Sequence, residues 1–116
     1  MKLSRMICAT ALVLSPSLAF AQDAPTGSVE AGKAMFEKAG CWTCHDHTGT
    51  GGQGSGPRIG PTALEWEGFI HQVREPASQM APFPATILSD QQAADIFAYL
   101  KSQKREDPKQ IPLLNR

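Results

Sequence analysis

The run Cys41-Trp42-Thr43-Cys44-His45 constrains this chain more than any other stretch of it. Two thiols three positions apart share one helical turn, and an imidazole follows at once. In that spacing both sulfurs can add to the vinyl groups of one flat macrocycle, and the histidine lies beneath its metal. This is the C-x-x-C-H pattern of covalent haem attachment, with a neutral imidazole nitrogen as axial ligand to iron. The chemistry it implies is movement of an electron. The same residues suit two other chemistries. A redox dithiol also uses C-x-x-C, but it wants a strand before the motif and a helix straight after. Here a helical segment precedes, and Gly49, Gly51, Gly52, Gly54 and Gly56 follow. A zinc site would need Cys41, Cys44 and two of His45, His47 and His71. Adjacent Cys44 and His45 make joint tetrahedral ligation awkward.

The N-terminus bears on the same question. Lys2 and Arg5 precede a mostly apolar run from Ile7 to Phe20, and Ala19-Phe20-Ala21 is a small-x-small cleavage site. Residues 1–21 therefore read as a secretory signal peptide, with export to the periplasm as the expected location. The run is too short, and too broken by Ser15-Pro16-Ser17, for a good spanning helix. No stable membrane insertion is expected after cleavage; an uncleaved anchor is the alternative. Cys8 lies near the start of the run, with most of the apolar stretch after it, and does not resemble a lipid acceptor. Removing 1–21 leaves 95 of the 116 residues, enough for one domain. Of the three cysteines only Cys41 and Cys44 remain, so no disulfide framework is available. Losing Lys2 and Arg5 from eleven basic residues leaves nine against eleven acidic, a net charge of −2. That balance gives no electrostatic case for nucleic acid. A chain this short has a thin core. A bound macrocycle would supply apolar surface, so the haem-free chain is expected to fold poorly.

The rest reads as helices separated by long loops, with no strand pattern and no repeat. Residues 22–27 form a short flexible lead-in before a domain at 28–104. Ser28 is a suitable N-cap, Glu30 suits the first turn, and Val29, Gly32, Met35 and Phe36 share a face. Gly40 suits the stop of a helix over 29–39. Residues 46–61 are Gly-rich, with two prolines, and read as an irregular loop. A phosphate-cradling loop would need a Gly-Lys-Ser/Thr ending and a preceding strand, both missing. Thr62 is the expected cap of a second helix with Leu64, Trp66, Phe69, Ile70 and Val73 on its apolar face, ended by Pro76. Gly68 interrupts that pattern. Residues 75–88 form a Pro-stiffened loop. Ser89 and Gln92 form a capping box for a third helix with Ala93, Ile96, Phe97 and Leu100 on its stripe. Residues 105–116 hold Pro108 and Pro112 and read as an irregular tail. The fold class is all-α.

The iron's sixth position decides the function. Two methionines remain in the mature chain. Met35 sits on the first helix, where core packing is its ordinary role. Met80 sits on the loop between Pro76 and Pro82. Flanking prolines lower the entropy lost in holding such a loop in place. A thioether there would raise the reduction potential. Gap-filling in the core is the plainer use of a methionine. His71 is the rival ligand; His47 is too close to His45 to reach the opposite face.

In this order and context the motifs resemble those of a class I c-type cytochrome, a bacterial monohaem one, over Ser28 to Ser102. Gly32 and Phe36 resemble the glycine and aromatic by which that family's first helix crosses its last, and Phe97, Tyr99 and Leu100 resemble their partners. Gly56-Pro57-Arg58-Ile59-Gly60 resembles Gly-Pro-x-Leu-x-Gly, in which the proline carbonyl accepts a hydrogen bond from the proximal histidine. Pro57 would do this for His45. Met80-Ala81-Pro82-Phe83 resembles Met-Pro-x-Phe, with Ala81 where the first proline usually stands. The resemblance implies a cytochrome c fold of three to four helices around one haem c. Cys41 and Cys44 would be bonded to the haem, with His45 and Met80 on the iron. Trp66 and Arg58 are candidate partners of the haem propionates; aromatic packing and a solvated loop are their plainer roles. Trp42 would stand near the haem edge. The implied function is electron carriage between redox proteins, with no catalysis. The alternative is a dedicated cytochrome subunit of a periplasmic dehydrogenase, motivated by Ile111-Pro112-Leu113-Leu114 as an anchor on a partner. A haem sensor with an open iron is a third class.

Overall fold

The computed structural model describes residues 23–52, 56–105, 107 and 109. The expected signal peptide at 1–21 and the apolar tail run at 111–114 lie outside the described residues. Among the described residues there are four helices and no strand: α1 (Val29–Lys38), α2 (Trp42–His45), α3 (Trp66–Arg74) and α4 (Asp90–Ser102). The all-α expectation holds, with α2 a single turn built from the cysteine motif. No described helix is long and apolar enough to cross a membrane.

Local chemistry sets the ends of α1 and α4. The Ser28 hydroxyl accepts the Ala31 N–H at 3.3 Å, which satisfies one orphan donor of α1. At α4, Ser89 Oγ accepts the Gln92 N–H at 3.2 Å while Gln92 Oε1 accepts the Ser89 N–H at 2.9 Å. Both halves of the expected capping box are present.

The second helix starts later than the sequence suggests. Thr62 does not cap it: its hydroxyl accepts the Leu64 N–H at 3.2 Å and closes a local turn instead. The helix begins at Trp66, behind Glu65. Leu64 is thereby left off the apolar face and is 45% exposed. Phe69 and Val73 keep their expected burial.

α1 crosses α4 with almost no space between backbones. A Cβ built on Gly32 would lie 1.9 Å from Asp95 O and 2.9 Å from Tyr99 Cβ. One turn earlier, a Cβ on Gly27 would lie 2.2 Å from Ala94 O. The lead-in has no regular secondary structure, but its end is tied down. Asp95 Oδ1 accepts the Ser28 N–H at 2.8 Å, and Gln91 donates to Thr26 O at 2.8 Å.

The close crossing buries Phe36 completely against Tyr99, with ring centroids 5.6 Å apart. That burial is worth about 2 kcal/mol. Phe97 joins α3 to α4, with centroids 5.1 Å from Phe69 and 5.7 Å from Trp66. Leu88, Ala93, Ile96 and Leu100 complete the core.

Two glycines test this packing with opposite signs. Gly32→Ala forces backbone apart at the crossing and is expected to cost about 3 kcal/mol, the upper range for overpacking. Gly68 is exposed on α3, where a Cβ would have its nearest neighbour at 3.7 Å. Gly68→Ala is expected to gain about 0.5–1 kcal/mol from backbone entropy alone. Urea unfolding of the haem-loaded protein measures both.

Candidate functional site

The stop of α1 aims the cysteine motif. Gly40 takes a left-handed conformation at φ +76°. Its N–H bonds to Glu37 O at 3.1 Å, and the Cys41 N–H bonds to Phe36 O at 3.1 Å. These are the paired bonds of a Schellman stop. The residue that anchors α1 in the core is therefore hydrogen-bonded to the first motif cysteine. The chain then makes the single turn α2, in which the N–H groups of Cys44 and His45 both return to Cys41 O, at 3.3 and 3.0 Å. Cys41, Cys44 and His45 stand on one turn.

Asp46 ends that turn at φ +64°, and its N–H returns to Trp42 O at 2.9 Å. Its Oδ2 accepts the hydroxyls of Thr50 at 2.7 Å and Thr48 at 3.1 Å. The Thr50 hydroxyl foremost, then the His47 N–H, holds the Asp46 carboxyl below the usual carboxylate range. Sequence reasoning missed this brace. The acid directly behind the histidine, with threonines two and four residues on, was the available signal.

Cys41 is half-buried, Cys44 is exposed, and neither is in a disulfide. Burial pushes the Cys41 thiol up to about 11. Among the described residues no group of three or more His, Cys, Asp or Glu is placed to hold a metal ion.

His45 Nδ1 lies 2.8 Å from Pro57 O. A carbonyl can only accept, so Nδ1 carries a proton, and in the neutral tautomer that this selects the lone pair is on Nε2. Gly56 permits the close approach: a Cβ there would lie 2.5 Å from Cys44 O and 3.0 Å from His45 Nδ1. A neutral imidazole of fixed tautomer, with two thiols on the same turn, fits a covalently held haem.

The other histidines have different surroundings. His47 Nδ1 lies 2.6 Å from Glu37 Oε1, and its ring stacks on Trp42 at 4.7 Å. Its carbonyl accepts the Tyr99 hydroxyl at 2.8 Å. His71 is exposed on α3.

Met80 is half-buried within the loop that joins α3 to α4, hung from the last turn of α3. Val73 O accepts the Phe83 N–H at 2.9 Å, and Arg74 donates to Phe83 O and to Asp90 Oδ1, the latter at 2.6 Å. Gln72 Nε2 stands 4.0 Å from Met80 Sδ. Gln72 and Arg74 were not singled out in the sequence. Their partners lie five to sixteen residues further on, outside the helix that carries them. Met35 packs on the core and lines a cavity of about 310 Å³ with Phe83, Ile87 and Leu88.

The two remaining candidates lie in different surroundings. Arg58 Nη1 donates to Gly60 O at 3.4 Å and lines a polar cavity of about 720 Å³ with Thr48, Thr50, Ser102, Gln103 and Lys104. Trp66 opens α3, packed between Phe69 and Phe97. The structure does not bring these two side chains together.

The family model described as cytochrome c oxidase, cbb3-type, subunit III matches residues 27–100. No curated protein and no solved structure matches the chain. The matched span runs from the glycine at the start of α1 to Leu100 and contains the motif turn, Pro57 and Met80. The chain belongs to this family, a class I c-type cytochrome domain, and is a haem-based electron-transfer cytochrome whose haem c and its iron are held covalently through Cys41 and Cys44.

Proposed function

We propose that this cytochrome is a one-electron carrier exported to the periplasm, with its iron gripped between His45 Nε2 and Met80 Sδ. The observation that carries the reading is the His45–Pro57 hydrogen bond of 2.8 Å. It fixes the ring, keeps the proton on Nδ1, and raises the basicity of the nitrogen opposite. When bound, the haem supplies a reversible ferric–ferrous couple. The chain's part is to hold that couple's surroundings still. Pro57 orients the imidazole from one side. The loop braced by Val73 and Arg74 presents Met80, the remaining soft donor outside α1. With both axial positions taken by protein, no substrate need be made or broken.

The proposal extends to Arg58 and Trp66 as partners of the haem propionates. These roles are additional to their described contacts, a backbone carbonyl for one and aromatic rings for the other. Donor and acceptor would be redox proteins, met transiently over a small interface. The second reading, membership of a stable complex, is favoured by the matched family's description as an oxidase subunit. A dehydrogenase is the other candidate host. Size exclusion of protein purified from its native host separates these: a free carrier elutes as a small monomer, a subunit with its complex.

Two further outcomes are expected. The ferric protein has a weak far-red sulfur-to-iron band, and Met80→Ala abolishes it and opens the reduced protein to carbon monoxide. A band that survives the substitution would pass the ligand role to Met35. Prompt, tight carbon monoxide binding by the unaltered protein would favour the sensor class. Separately, Cys41→Ala/Cys44→Ala, made without attached haem, is expected to lose most of its helical circular dichroism, because the polypeptide core is thin. Native helicity in that variant would contradict the expectation.

A further inference from the structure

The loop that presents Met80 is held at two points by one side chain. Gln72, in the last turn of α3, accepts the Ala77 N–H on Oε1 at 3.5 Å and directs Nε2 at Met80 Sδ, 4.0 Å away. Both side chains are half-buried. The orientation of the carboxamide is set by its partners. Turned over, it would place an oxygen against sulfur and an amide donor against the Ala77 N–H, losing both contacts. The loop between the two contacts also needs holding. Ser78 sits at φ +65°, a left-handed conformation that costs a non-glycine residue about 1–2 kcal/mol. The Gln72–Ala77 bond closes the chain just before this residue, and the Val73–Phe83 bond closes it beyond Met80.

A thioether sulfur has two lone pairs. One can serve a metal while the other accepts a weak hydrogen bond. We propose that Gln72 is a positioning residue for the sixth ligand of the iron. It selects which way the Met80 sulfur turns, and it draws electron density from that sulfur. This rests on the reading of Met80 as a ligand. A hydrogen-bonded thioether donates less to ferric iron, so the ferrous state is favoured and the reduction potential rises. Removing the donor lowers the potential.

The test is spectroelectrochemistry of the haem-loaded protein in two backgrounds. In the unaltered background, Gln72→Leu is expected to lower the midpoint potential and to shift the far-red sulfur-to-iron band. In a Met80→His background there is no sulfur to receive the bond, so the same substitution is expected to leave the potential where it was. That non-additivity is the signature of action through the sulfur. An equal fall in both backgrounds would mean a general loss of polarity near the haem and would overturn the proposal. So would an unmoved potential and band in the unaltered background. Should Gln72→Leu fail to accumulate, Gln72→Asn replaces it. One methylene shorter, it cannot reach Ala77 and Met80 together, and the same downward shift is expected. The underlying reading fails separately. If Met80→Ala keeps the far-red band, Met80 is not a ligand at all. If Met80→Ala loses the band while Gln72→Leu changes nothing, only the role of Gln72 falls.

Discussion

The close approach of α1 to α4 at Gly32 fixes the path of the chain into the haem-binding turn. With Asp95 O sitting where a Cβ would be, only glycine lets the two backbones meet. That contact seals Phe36 against Tyr99. Phe36 is also the residue whose carbonyl receives the Cys41 N–H at the Schellman stop. The position of the first thiol is therefore fixed by hydrogen bond to the most buried aromatic in the core. One turn later comes His45, and Pro57 takes its Nδ1 proton in a hydrogen bond. Packing thus becomes ligand geometry in a few covalent steps, with no long loop between the core and the site on this side.

The other side of the site is built differently. Met80 comes from an irregular segment, and nothing in its own backbone recurs regularly. Its placement depends on the end of α3. Val73 and Arg74 hold the loop at Phe83, and Gln72 holds it at Ala77 and at the Met80 sulfur. Arg74 also reaches Asp90 in the first turn of α4. An acid at that N-terminus suits the helix dipole as well as the guanidinium. The Met80 loop is thereby referred to the same helix, α4, that positions α1. The two proposed ligands, from distant parts of the sequence, thus share one frame.

How much of this was legible in the residues depended on range. The caps of α1 and α4 could be read directly, because Ser28, Ser89 and Gln92 act within three residues of themselves. Gly40 as a stop was legible for the same reason. The start of α3 was not. A threonine hydroxyl can cap a helix or close a turn, and only the subsequent backbone decides which; Thr62 closes a turn on Leu64. The expectation that Pro57 faces His45 came from a family resemblance, and periodicity alone contained nothing of it. Arg58 was read as a counter-charge for a haem propionate or a solvated loop residue; its short-range contact to the Gly60 carbonyl, two residues on, has no period to announce it. The braces around Met80 were illegible because a loop has no period to extrapolate. A left-handed serine at position 78 is the kind of detail composition cannot announce.

The two sides of the site also differ in how firmly they can be altered. On the histidine side, covalent neighbours, a backbone carbonyl and a glycine leave little freedom: Gly56 cannot gain a Cβ without meeting Cys44 O. On the methionine side, the restraint is a set of side-chain contacts to a loop, each of modest strength and some partly exposed. Local opening falls first where contacts are few and backbone is solvated. On the proposed ligand set, the histidine side would fix the identity of the centre and the methionine side its tuning. A carboxamide facing a thioether is well suited to that task, because a weak bond can shift a ligand's donor strength without deciding whether it binds. On the proposed ligand set, the residues that make this protein a cytochrome are distinct from those that would set its potential.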